Sequence, residues 1–366
     1  MNDSIFQPDY TITPKIEVYL ESIDRNRWLI DNILLMPKHE AWLHREVRVS
    51  RAAGTTRIEG AELDEGAVSR LARQPPTGGG NEDERENVNA LQAYEFIDFL
   101  SDQADIPIDE LVIRQLNRYY IANAAAPLTP GAYRKGRNTV GNFTPPDQGD
   151  VPGFMRSFAL WLRDDQDGLH PVIKAGISHI HLVAIHPFWD GNGRTARGLE
   201  TLILQRSPFG FRKLLSLESF LLDLKDDYFA SIQRSLGTTF TESYDSTPWL
   251  EFSTMVLKIC SDDLVVMTAD WQRMMQHAHN MWAAKGWPQR HADAYAFAIQ
   301  TGQITRSDYI EITGVSAATA SRDLGALVDA GVFAAEGKTR ARTYYPVALA
   351  ELESVPPEEQ LPLLVD

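Results

Sequence analysis

The chain has 366 residues, 43% hydrophobic and 23% charged, the balance of a globular protein with room for two or three domains. A formal net charge of −15 excludes a general nucleic-acid binder but leaves room for one local basic patch. The single cysteine, Cys260, excludes an intramolecular disulfide and suits a reducing, cytoplasmic location; with no run of about eighteen apolar residues, and no basic-then-apolar opening after Met1, neither a membrane span nor a signal peptide is expected.

From the N-terminus, residues 1–104 read as a helical region. Ala41 to Ala53 carries helix formers and leads into Thr55-Thr56-Arg57-Ile58-Glu59-Gly60, with Gly60 placed to end that helix. Pro75-Pro76-Thr77-Gly78-Gly79-Gly80 and the acidic run after it read as a loop. A helical pattern resumes from Glu86, with Val88, Leu91, Tyr94, Phe96, Ile97 and Leu100 as its apolar positions. In the central segment, 105–288, Gly131-Ala132-Tyr133-Arg134 leads to Val140, Phe143 and Pro145-Pro146, which predicts a short hairpin. Ile177, Ile180, Leu182, Val183 and Ile185 predict a helix that Pro187 helps to end. Leu199, Leu202, Ile203 and Leu204 predict the next one. Thr247-Pro248-Trp249 opens another, with proline near its start, and helix continues through Ala284.

Residues 289–366 change character. Ser307 to Ile312 reads as a short helix with Ser307 as its cap, and Thr313-Gly314 as a turn. Ser316 to Ala330 reads as a longer helix ended by Gly331. Val332-Phe333 and Thr343-Tyr344-Tyr345 bracket Glu336-Gly337-Lys338 as two short strands. Helix, turn, helix, hairpin resembles a winged helix-turn-helix. Thr319, Ser321 and Arg322 would then face a major groove, and Lys338, Arg340 and Arg342 would meet phosphates. Residues 302–346 hold five basic and five acidic groups, so DNA contact and protein contact both stay open. The predicted fold is mainly α, with a small hairpin and a small sheet.

The densest chemistry lies in His186-Pro187-Phe188-Trp189-Asp190-Gly191-Asn192-Gly193-Arg194-Thr195-Ala196-Arg197, between two predicted helices. A tight polar loop at a helix N-terminus offers free N–H groups and the positive end of the dipole to an anion. Gly191 and Gly193 permit close backbone approach, and Asn192 has an amide hydrogen to donate. Arg194 and Arg197 are neighbours on one helix face, with forks suited to phosphate oxygens. Asp190 is a hard oxygen ligand for magnesium, and His186 is a base near working pH. Together these groups suit transfer of a phosphorus group to a hydroxyl. A zinc site using His179 and His181 is disfavoured, because residues two apart point to different helix faces.

This segment resembles the Fic family signature HPFxDGNGRxxR at every specified position. The resemblance implies an all-helical core and transfer of AMP from ATP to a Ser, Thr or Tyr hydroxyl of a target protein, itself included. It makes His186 the base and Asp190 the holder of Mg2+. Asn192 and the amides of Gly191 and Gly193 would cradle phosphates, with Arg194 at the β-phosphate and Arg197 at the γ-phosphate. The phosphorylating, Doc-like branch carries lysine where Gly193 stands. Thr55, Glu59 and Gly60 match the family's inhibitory motif [S/T]xxxE[G/N]; Glu59 would pair with Arg197 and fill the γ-phosphate position. The hairpin near Val140 resembles the family's flap, whose edge registers the target by strand addition. Tyr228 stands where relatives place an aromatic near the base, and a plain core aromatic is the other reading. Fic proteins often form homodimers. Two alternatives to AMP transfer remain at this point: a nucleotide-sensing transcriptional regulator, and a de-AMPylase using the same residues.

Overall fold

The computed structural model describes residues 5–33, 35, 37–76, 80–122, 129–163, 168–337 and 342–347. Thr77 to Gly79 and the wing residues Lys338 and Arg340 lie outside these. The elements, in order, are α1 (Pro14–Asp31), α2 (Pro37–Glu59), α3 (Glu65–Arg73), α4 (Glu82–Ser101), α5 (Glu110–Tyr120), α6 (Val151–Arg163), α7 (Pro171–Ile185) and α8 (Asn192–Gln205). A 3-10 turn (Pro208–Lys213), α9 (Leu217–Asp223), α10 (Lys225–Leu236), α11 (Thr247–Ala284) and α12 (Gln289–Thr301) follow. Then come β1 (Ile304–Thr305), α13 (Arg306–Thr313), α14 (Ala317–Asp329), β2 (Phe333–Glu336) and β3 (Thr343–Pro346). Among the described residues, no helix is long and apolar enough to cross a membrane.

The chain packs as two compact units, Met1–Ile33 with Leu43–Val265 and Leu34–Trp42 with Val266–Asp366. The segments 1–104 and 105–288 do not pack as separate bodies, because α4 lies against α5 and α8 in one core. At the centre of the first unit stand α7 and α8. α7 buries Val172, Ile177, Ile180 and Ile185 among others, and α8 buries residues on every face. A helix apolar or satisfied all round belongs in the interior. Two glycines permit this packing. A Cβ on Gly176 would lie 2.9 Å from Leu250 of α11, and one on Gly198 would lie 2.6 Å from the Tyr120 hydroxyl of α5.

The structure departs from the local sequence signals in two places. The acidic run after Gly80 is not loop: Asn81 caps α4, its side chain accepting from the Glu84 N–H while Glu84 accepts from the Asn81 N–H. The cap of α13 is Thr305, not Ser307, and it forms the same reciprocal box with Asp308. The predicted hairpin at 131–146 is minimal. Val140 and Phe143 exchange both backbone hydrogen bonds, at 2.9 Å each, around Gly141-Asn142. Thr144 then bridges Thr239 in parallel.

In the second unit, β1, β3 and β2 form one antiparallel sheet in that order. Its core gathers Trp282, Tyr295, Tyr309, Leu324 and Phe333. Asp323, 6% exposed, is paired by Arg290 Nε at 2.7 Å and by the Tyr309 hydroxyl at 3.0 Å. A buried carboxylate needs such partners.

Candidate active site

The site begins where α7 stops. His186 is its C-cap, in the left-handed region at φ 49°, and donates its backbone N–H to the Leu182 carbonyl. The loop then folds on itself. The Phe188 N–H donates to Asn192 Oδ1 and Asn192 Nδ2 donates to the Phe188 carbonyl, both at 2.9 Å. One hydrogen of the Asn192 amide and its carbonyl oxygen therefore shape the loop. Gly191, at φ 75°, starts α8 without a side-chain cap. The first bond of the helix runs from Thr195 N–H to the Gly191 carbonyl, so the amides of Asn192, Gly193 and Arg194 are free of the helix ladder.

Two fully buried side chains brace the loop, and neither stood out in the sequence. Asn117 donates to the Asp190 carbonyl at 2.9 Å and accepts from the Gly131 N–H at 3.0 Å. Arg134 donates Nε to the His186 carbonyl at 2.9 Å and Nη1 to the Gly136 carbonyl at 3.0 Å, and also reaches the Pro146 carbonyl. One guanidinium thus ties the hairpin to the histidine.

Arg197 is 2% exposed and held from several sides. Its Nε donates to Thr55 Oγ1 at 2.8 Å and Nη2 to the Thr55 carbonyl at 3.2 Å. Nη2 also meets Glu59 Oε1 at 2.6 Å, and Nη1 meets the Tyr228 hydroxyl at 3.3 Å. Burial works against the Glu59 charge, but the Arg197 guanidinium outweighs it and holds the carboxyl below its usual range. Gly193 makes room for this approach, since a Cβ there would lie 2.6 Å from Glu59 Oε1. Gly60 takes φ 115° just past the end of α2.

Arg194 is engaged differently. Its Nη1 meets Glu86 of α4 at 3.1 Å, and Nη2 meets both Asp190 oxygens at 3.2 Å. Asp190 Oδ1 also accepts from the Gly191 N–H at 2.6 Å. The Asp190 side chain remains 47% exposed, a hard oxygen donor at the mouth of the loop. A lone carboxylate suits magnesium when phosphate oxygens and water complete the shell.

A cavity of about 450 Å3 is lined by Glu59, His186, Gly193 and Arg197 and by Val140 to Phe143. Burial lowers the His186 pKa to about 4, so the imidazole is neutral at neutral pH. Phe229, Ile232 and Gln233 of α10 close one end. Tyr228, open between a contact to the base and a core aromatic, also lines this cavity. It is 1% exposed and its hydroxyl serves Arg197, whereas the next residue, Phe229, is 48% exposed.

Residues 107–204 match the model of the Fic/DOC family. The chain carries a Fic domain. It is similar to the protein adenylyltransferase Fic of Drosophila mojavensis, 43% identical over 84 residues, which are 23% of this chain and 17% of that protein. The likeness to the protein of that name from Nematostella vectensis is 42% over 105 residues, 28% of this chain and 24% of the relative. The matched region thus spans about a fifth of the length of these curated relatives. Among solved structures, a Fic family protein from Desulfovibrio desulfuricans G20 superposes with TM-score 0.63 at 22% identity, over 94% of this chain and 99% of that one. A Fic domain containing signaling protein from Bacteroides thetaiotaomicron gives 0.56 at 23%, over 70% and 98%. These likenesses establish the fold. The Fic domain supplies His186, Asp190, Arg194 and Arg197, while every side chain that engages Arg197 (Thr55, Glu59 and Tyr228) comes from outside residues 107–204.

Proposed function

We propose that this chain transfers AMP from ATP to a protein hydroxyl and that Glu59 holds the activity in check. The observation that carries the reading is the 2.6 Å pair between Glu59 and Arg197 inside the cavity that His186 lines. Neutral His186 takes the proton of the target hydroxyl as its oxygen bonds to the α-phosphorus. The bond from that phosphorus to the bridging oxygen breaks, and pyrophosphate leaves. The free amides at the start of α8 and the fork of Arg197 meet the phosphates. Arg194 aligns the Asp190 carboxylate. Asp190 would hold magnesium, which would supply charge neutralisation when bound. Glu59 stands where the γ-phosphate would contact Arg197, so ATP binds poorly or out of line. Gly193 supports the AMP-transferring branch, because the phosphorylating branch of the family it resembles carries lysine at this position.

The test incubates the protein with α-labelled ATP, magnesium and a cell extract, wild type beside Glu59→Gly. Label should enter protein strongly in the variant, weakly in wild type, and not at all with excess chelator. A folded Glu59→Gly protein that labels nothing would refute transfer. De-AMPylation is the second reading, favoured if Glu59→Gly loses release of AMP from modified protein.

A further inference from the structure

Arg197 faces Glu59 on one side and a buried polar chain on the other. His179 Nε2 lies 3.0 Å from the Tyr228 hydroxyl, and His179 Nδ1 lies 2.6 Å from Glu200 Oε2. His179 is 0% exposed, Tyr228 1%, Arg197 2% and Glu200 7%. With a neutral imidazole, His179 Nδ1 donates to the Glu200 carboxylate, which only accepts, and Nε2 accepts the Tyr228 O–H. The tyrosine oxygen is then free to accept from Arg197 Nη1. Trp249 packs on both rings, its centroid 4.6 Å from that of His179 and 5.7 Å from that of Tyr228. The rings therefore have little freedom to re-aim the hydroxyl.

Among the described residues, the other hydrogen-bond partners of Arg197 are Thr55 and Glu59 in the last turns of α2, and Glu59 must give way when ATP binds. Thr55 and Tyr228 then remain as its anchors, on opposite sides of the fork. We propose that Glu200 and His179, acting through Tyr228, are positioning residues that hold the Arg197 fork in the orientation a γ-phosphate requires. The chain then sets the preference for a nucleoside triphosphate over a diphosphate. This rests on the reading of Arg197 as the γ-phosphate contact. A group held in place before the ligand arrives loses less freedom on binding.

The experiment uses the full chain with Glu59→Gly to open the site and His186→Ala to prevent turnover. ATP and ADP affinities are measured by calorimetry with magnesium. Adding Tyr228→Phe should weaken ATP about tenfold while ADP stays within about twofold, since only ATP carries the γ-phosphate. Glu200→Leu should give the same ATP-selective loss, and Glu200→Gln, which keeps an acceptor for His179, should restore it. Should Tyr228→Phe fail to fold, the Glu200 pair carries the test alone. Equal weakening of ATP and ADP, or no weakening of either, overturns the proposal. Arg197→Ala separates the two levels. If it removes the preference for ATP and the relay variants do not, the relay is structural only. If it leaves the preference intact, the reading of Arg197 falls and the proposal with it.

Discussion

The two walls of the cavity are built on opposite plans. On the side of α2 and α8, two buried arginines are closed by charge. Arg197 has partners from Thr55, Glu59 and Tyr228, and Arg194 from Glu86 and Asp190. The other wall, Val140 to Phe143, is closed by one pair of backbone bonds, and Val140 is 39% exposed. Charged groups in a poorly solvated place need several fixed partners, so the phosphate side is preorganised. A wall that must accept a protein segment keeps its backbone edge free and pays little to rearrange. Under the proposed function, the first wall would carry the chemistry and the second would fit the target.

The largest effect should come from His186→Ala, which touches only the rigid wall. AMP transfer should fall by about 10²–10⁴-fold while ADP binding persists. Loss of nucleotide binding in a folded variant would make the histidine part of the scaffold instead. Its pH behaviour sharpens the same point. With the imidazole pKa lowered to about 4, the basic form is already full at pH 6. Activity should rise with pH through about 4 and run level above it. An inflection near the ordinary histidine value of about 6.5 would contradict the burial argument.

Next in size is control of the rigid wall. Glu59→Gly should raise transfer by roughly 10- to 100-fold, the equivalent of one charged hydrogen bond no longer competing with ATP. Combining it with Arg197→Ala should cancel the gain, as measured by labelling at limiting ATP. Arg134→Ala then tests the tie between the walls. It leaves the His186 and Gly136 carbonyls without their partner, so stability should drop by about 1–3 kcal/mol in denaturant titration, and transfer should fall with it. A stable, fully active variant would show that the walls are independent. The smallest effect is expected from Val140→Pro, which removes the donor to the Phe143 carbonyl. Labelling of the target should change a few-fold, and ADP affinity should not. A matching loss of ADP affinity would place the nucleotide, not the target, on this wall.

What could be read in advance follows the range of the interactions. The loop from His186 to Arg197 was legible because its helix stop, glycines and arginines act within one turn of each other. Thr55 and Glu59 were legible only through their resemblance to a motif, since nothing local says that a helix end will meet an arginine 138 residues away. Glu86, 108 residues from Arg194, gave no signal at all. Nor did Arg134, whose partners are carbonyls that any sequence would supply. The role of Tyr228 stayed open between base contact and core aromatic for a simple reason. Adjacent residues on a helix point about 100° apart, and only packing decides how each is shared between core and cavity; Tyr228 and Phe229 both line the cavity.

By itself, the sequence determined the helical character of the chain, the polar loop between two apolar helices, and the chemical kinds of group available there. Those depend on periodicity, caps and turn residues acting over a few positions. Tertiary structure alone decided the division into two units and the distant partners that hold each arginine, such as Glu59 on Arg197 and Glu86 on Arg194. These are contacts between distant segments, chosen by the requirement that buried charges be paired and buried polar groups satisfied.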